Sequence, residues 1–447
     1  MKKLNRILSL VLVLAMAATL ASCAGQPSAS IEQPIAAGTV NEEISGELVF
    51  WTQDSEVWST WFQPAVEEFR KAYPNITITD EYFPSFSDKM TQSFAAGQQP
   101  DIAQTWQGVS EWAKDGKLLE IPASFGIETN YFEGATMSKM YEDKYYALPS
   151  EINIESPSLF VNMGLLKEQN IALPEGWVEN NGPKTWQELL DFAKTLTKIE
   201  NGGVMQSGFA YVYAQWEAMF ASLIWQYGGD YRDAENGVVH FDTPEAHKAM
   251  EFLLKYSDPK DPDCVSDRGN SRYDLFAQGT AAMCVGAPWY ASSFDIDVPD
   301  MEYQVFNMPA MVEGAQPSCL ATGGWSFIVS SDCKYPEAAW AFVEFMNNAQ
   351  NNGSWAKHCG TLPARKDAVM DLEYDPNVGD VSKALSIASG NLQYGKEDGA
   401  YMLTPSTLIY NIVRLQLQQA LETGDIDTAL KTMEKEGNAM IKANLGR

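Results

Sequence analysis

Glu47-Leu48-Val49-Phe50-Trp51, then Trp58 to Tyr73, then Ile76-Thr77-Ile78-Thr79, then Asp88 to Ala96, then Asp101-Ile102-Ala103-Gln104: these five segments, set apart by short breaks, decide the fold. In the second, Trp58, Trp61, Phe62, Ala65, Val66, Phe69 and Tyr73 recur at the spacing of one helix face. Pro74-Asn75 ends it, because proline cannot continue a helix. Ile76–Thr79 is β-branched and alternates, as a strand does. Gly97 stops the second helix. Strand, helix, strand, helix, strand predicts a parallel α/β sheet. In such sheets ligands sit beyond the carboxyl ends of the strands. The loops after Trp51 and after Gln104 are therefore expected on one edge.

The chain continues in kind. Tyr145–Pro149 and Ser158–Asn162 read as short extended segments. Thr185 caps a predicted helix through Lys198, with Glu188 as its capping-box partner. Tyr213–Tyr227 reads as a buried helix, and Pro244–Tyr256 as another capped by Thr243. Ala281–Val285 and Ser326–Ser330 read as strands, Pro336–Asn347 as a helix. The last third is helical, ending in Leu408–Thr423 and Asp427–Leu445. Residues 47–447 exceed one ordinary core, so two domains or two lobes are expected.

The amino terminus has its own signal. Lys2, Lys3 and Arg6 precede an uncharged apolar run, Ile7–Leu20. That run is shorter than the roughly 20 residues of a membrane-spanning helix and fits a secretory signal peptide. Leu20-Ala21-Ser22-Cys23 resembles the bacterial lipobox, which implies cleavage before Cys23 and lipidation of its thiol. Residues 24–46 lack aromatic residues and apolar periodicity, as a flexible tether would.

Composition narrows the partners. Without the three basic residues of the leader, 28 basic residues face 59 acidic ones, a net charge of −31. That field repels nucleic acid and anionic lipid. Apart from Cys23 there are five cysteines, Cys264, Cys284, Cys319, Cys333 and Cys359, with no C-x-x-C spacing. They are expected as one or two disulfides or as buried thiols. With only His240, His247 and His358, no transition-metal site is expected, and no cofactor. Asp258, Asp261, Asp263 and Asp267 do not match a calcium loop and read as a solvated loop.

Five ordered stretches carry a family resemblance. They are Phe69–Ile76, Phe94–Ile102, Phe276–Met283 with Gly286 and Trp289, Gly323–Ser330 with Pro336–Trp340, and Gly360–Arg365. Together they resemble the family 1 extracellular solute-binding proteins, which include maltose-binding protein. The resemblance implies an α/β, two-lobed periplasmic-binding-protein-like fold of type II, with a hinge between lobes and a helical carboxyl-terminal region. It implies lobe 1 at 47–152 and 321–362, and lobe 2 at 153–320 and 363–447, after a signal peptide at 1–22 and a lipidated tether at 23–46. It also implies no catalysis. The expected partners are a carbohydrate and the transmembrane subunits of an ABC permease. The protein is expected as a monomer, held outside the cell membrane by its lipid alone.

Candidate ligand residues follow from both readings. Gln53, Asp54 and Ser55 follow the first strand, where acids and amides can pair with sugar hydroxyls, although Asp54 could instead cap the helix near Trp58. Trp106, next to Gln107, can stack on the apolar face of a pyranose. Glu151, with Asn153 and Glu155 as neighbours, lies where the resemblance implies a crossing between lobes. Trp216 and Glu217 open a helix that the resemblance brings to the cleft, against the alternative of core packing. Trp289 matches a sugar-stacking tryptophan of the family. Gly324 and Trp325 follow Gly323, where the backbone can approach a ligand or make a plain turn. Arg365 lies near a hinge. Two rivals stay open: a surface glycoside hydrolase or lyase, with paired carboxylates, and a binder of polyamine or glycerol phosphate.

Overall fold

A computed structural model describes residues 35–136, 139–233, 235–375, 377, 379–397 and 406–445. The signal-peptide and lipidation readings, with Cys23, fall outside them.

The opening segments form the predicted α/β unit. Gly46–Gln53 pairs in parallel with Ile76–Phe83 along its whole length and, through Phe50 and Trp51, with Ile102–Thr105. Ser326–Val329 then joins Ile102–Thr105 antiparallel, and Leu148–Pro149 closes that edge. Helix Glu56–Ala72 buries Trp61, Phe62, Ala65, Val66 and Phe69 against this first sheet. Gly97, at φ 67°, takes the left-handed cap that ends helix Phe86–Ala96. The second strand runs four residues past the expected Thr79, because the register with the first strand continues to Gln53 and Phe83.

A second sheet holds Met283–Gly286, Ser158–Asn162 and Tyr303–Asn307, all antiparallel. A third, connecting sheet holds Leu362–Pro363, Glu151–Glu155, Cys319–Thr322 and Gly395–Lys396. The chain passes between first and connecting sheets at Ser150, and again at Gly323–Trp325. It enters the connecting sheet once more at Gly360-Thr361, after helix Ala349–Cys359. Helices Ser406–Thr423 and Ile426–Leu445 bury Val413, Leu417, Leu430 and Met433 in a core shared with Leu159, Leu223 and Met283.

Several local expectations change. The buried helix spans Trp216–Gln226, not Tyr213–Tyr227, because Tyr213 and Gln215 take φ of 54° and 59°, which no right-handed helix accepts. Thr185 Oγ1 accepts from Glu188 N–H at 3.2 Å as expected, but the Glu188 carboxylate turns to Lys184 N–H and Trp177 Nε1. Residues 35–46 lie against the fold instead of hanging free. Ala36 N–H donates to Asn351 Oδ1 and Asn41 N–H to Ala72 O, both at 2.7 Å. All five cysteines after Cys23 are buried free thiols, and burial pushes Cys264 and Cys333 up to about 11. Among the described residues, no helix is long and apolar enough to cross a membrane.

Candidate ligand-binding cleft

The sheet edges and crossings enclose a cavity of about 520 Å³. Four tryptophans line it: Trp58, Trp106, Trp289 and Trp325. Each is placed by a different element. Trp58 sits in the first turn of helix Glu56–Ala72, its Nε1 donating to Gln104 Oε1 at 3.1 Å and its ring 4.8 Å from that of Trp325. Trp106 follows Ile102–Thr105, and Trp325 precedes Ser326–Val329. Trp289 begins helix Trp289–Asp297 and stacks on Tyr273 at 6.3 Å. Trp51, at the end of the first strand's predicted span, is buried against Phe83 and does not line the cleft.

Polar groups fill the space between the rings. Gln53, Ser55, Glu56, Asn153, Glu155 and Gln215 line the cavity. Asn153 Nδ2 donates to Glu155 Oε1 at 2.6 Å. Burial, above all, pushes the Glu155 carboxyl up to about 7, and the nearby Arg272 charge opposes that rise. Tyr290 Oη donates to Gln215 Oε1 and accepts from Arg272 Nε, each at 3.1 Å. On the facing wall Arg414 binds Glu217 at two points, with Nε 3.3 Å from Oε2 and Nη2 on Oε1. Asp297 accepts from Tyr273 Oη at 2.5 Å. Among the described residues, Arg414 is the one basic side chain lining the cavity, against Glu56, Glu151, Glu155, Glu217 and Asp297.

The predicted site residues divide. Gln53, Trp106, Glu151, Glu217, Trp289, Gly324 and Trp325 come together around the cavity. Asp54, Trp216 and Arg365 do not line it. Asp54 points to solvent, and Ser55, not Asp54, caps the helix through Trp58 N–H at 3.4 Å. Trp216 is buried against Tyr213, while Gln215, left-handed at φ 59° just before the helix, lines the cavity. Arg365 holds Asp367 at 2.8 Å and stands over the Tyr131 ring. The two glycines serve protein packing: a Cβ on Gly324 would meet Glu151 Oε1 at 2.2 Å, and one on Gly323 would meet Ala135 O at 2.4 Å.

Trp58, Gln215, Asp297, Thr361 and Arg414 escaped the sequence reading. Trp58 carried a signal, an aromatic residue in the first turn after a strand's carboxyl end, but its helical spacing read as core. Arg414 carried none, since its partner Glu217 lies 197 residues away.

A sequence profile described as bacterial extracellular solute-binding protein matches residues 54–353, more than half the chain. The galactooligosaccharide-binding protein of Bacillus subtilis is 24% identical over 386 residues, covering 83% of each chain. The structure of the maltose/maltodextrin-binding domain of Bdellovibrio bacteriovorus bound to maltotriose superposes with a TM-score of 0.69 at 19% identity, over 89% of this chain and all of that one. A glycerophosphocholine complex from Mycobacterium tuberculosis gives 0.71 at 18% identity, over 90% of this chain and 100% of that one. The periplasmic-binding-protein-like α/β fold is thus shared with these structures.

Proposed function

This chain belongs to the bacterial extracellular solute-binding protein family, and on that premise we propose that it captures a carbohydrate in the cleft and delivers it to an ABC permease. The family binds solutes and does not turn them over. The observation that carries the sugar reading is the lining: four tryptophans interleaved with acids and amides. Indole faces cover the apolar faces of a pyranose, and carboxylates and amides pair with its hydroxyls. Gln53, Trp106, Glu155, Glu217, Trp289 and Trp325 are the contacts we assign.

The charge balance weighs against a phosphate ester. Among the described lining residues the one cation, Arg414, is already paired with Glu217. A phosphate would need uncommitted donors of positive charge. Two lobes, 47–152 with 321–362 and 153–320 with 363–447, would close on the sugar by hinge motion. Lipidation of Cys23 would hold the protein at the outer face of the membrane.

A thermal-shift screen tests the assignment, using maltotriose, galactooligosaccharides, mannotriose and glycerophosphocholine. A ligand at 100 times its dissociation constant adds about 2.7 kcal/mol. A shift with a sugar that is recovered intact supports the reading. A shift with glycerophosphocholine alone, or cleavage of the sugar, overturns it.

A further inference from the structure

Glu151 lines the cavity, yet its carboxylate is engaged by the protein itself. Oε1 accepts from Trp325 N–H at 3.1 Å. Oε2 accepts from Trp355 Nε1 at 3.0 Å and from Thr361 Oγ1 at 3.2 Å. The residue is 2% exposed. Its three donors come from distinct places. Trp325 lies on the passage from the connecting sheet to the first sheet. Thr361 lies on the passage out of helix Ala349–Cys359, and Trp355 lies within that helix. Glu151 itself opens the connecting sheet just after Ser150. One carboxylate therefore touches the three passages described between the first and the connecting sheets.

The surroundings lock the same point. Lys139, 1% exposed, donates from Nζ to Gly324 O at 2.9 Å. Asn352 Nδ2 donates to Ser150 O at 2.6 Å, and Asn347 Nδ2 to Pro149 O at 2.9 Å. Arg365 N–H donates to Asn352 Oδ1 at 3.1 Å, which gives Arg365 a place in this knot and not in the cleft. Gly324 is required because any larger residue would collide with the Glu151 carboxylate. A buried carboxylate with donors on both oxygens specifies one arrangement of the strands that supply them.

We propose that Glu151 is a positioning residue, the pin of the hinge: it fixes the three crossings against one another and so sets how the lobes close on the ligand. This rests on the reading that the cleft closes around its solute, but the first test needs no solute. Trp355 does not line the cavity, so Trp355→Phe removes one donor to Glu151 without touching the ligand's space. Amide hydrogen exchange of the ligand-free full chain is compared for wild type, Trp355→Phe, Glu151→Gln and the double variant. Loss of a hydrogen bond to a buried charge should raise exchange about tenfold. The expected rise appears together at 150–153, 322–326 and 360–363, and the double variant is no worse than the worse single one. A rise confined to helix 349–359, or additive effects, overturns the proposal.

A second arm uses whichever of maltotriose, galactooligosaccharide or mannotriose shifts the wild type. Trp355→Phe should weaken every sugar that binds by one common factor and change the small-angle scattering of the saturated protein. Unchanged affinity and scattering in folded Trp355→Phe protein would overturn the pin. If no sugar binds wild type, the carbohydrate reading fails while the exchange result stands by itself.

Discussion

Replacing Arg414 with methionine tests how helix Ser406–Thr423 is tied to the cleft wall. Arg414 and Glu217 form a two-point pair, with the carboxylate side chain 3% exposed and the guanidinium side chain 47% exposed. Removing one partner of a fully buried pair costs roughly 3–5 kcal/mol, because the other charge is left without compensation. Arg414 is almost half in solvent, so water can reach the vacated space and the cost should fall to about 2 kcal/mol. With an unfolding entropy of about 2.1 cal/mol/K per residue, that lowers the melting temperature by roughly 2–3 °C in a chain of this size. Differential scanning calorimetry resolves such a change. The decisive comparison is the double variant Arg414→Met/Glu217→Gln, which no longer buries an uncompensated charge and should recover most of the loss. Arg414→Met as stable as wild type, or a double variant worse than both singles, would refute the argument that Glu217 depends on this partner.

Other predictions follow from the same geometry. Trp289→Ala should weaken binding of the cognate sugar by about 30- to 100-fold, near 2 kcal/mol or more, in isothermal titration; a loss under threefold would remove Trp289 from the contact set. Gly324→Ala forces a methyl group into the Glu151 carboxylate and should cost about 1–3 kcal/mol in denaturant unfolding. The Glu155 carboxyl, raised to about 7 by burial, contributes fully to stability below about pH 4.5 and loses that contribution as pH rises through about 7. The stability of wild type relative to Glu155→Gln should therefore fall by up to about 3 kcal/mol between pH 5 and 8, and parallel stability profiles would contradict it.

How much of this was legible in the chain follows from the range of the forces involved. The opening α/β unit could be read because each helix and strand carries its own periodicity and its own stop. Pro74 and Gly97 act locally, and the pairing of the first strands needed only the order of elements. Seven of the candidate site residues gathered around the cavity because strand ends, helix starts and crossings bring them there. The others depended on direction. A helix that is apolar all round hides which of Gln215 and Trp216 faces the cavity, and a left-handed residue at its start decided it.

The sequence by itself determined the family, the α/β architecture and an aromatic, acidic cleft with few cations, because these rest on composition, local pattern and the order of short segments. Only the tertiary structure decided which charges are already spent. Glu151 answers to donors at Trp325, Trp355 and Thr361, and Arg365 turns to Asp367 and the crossing backbone. Those pairings join residues up to 210 positions apart. Sequence spacing carries no information on such distances, and desolvation makes each buried charge take whichever partner the fold brings within reach.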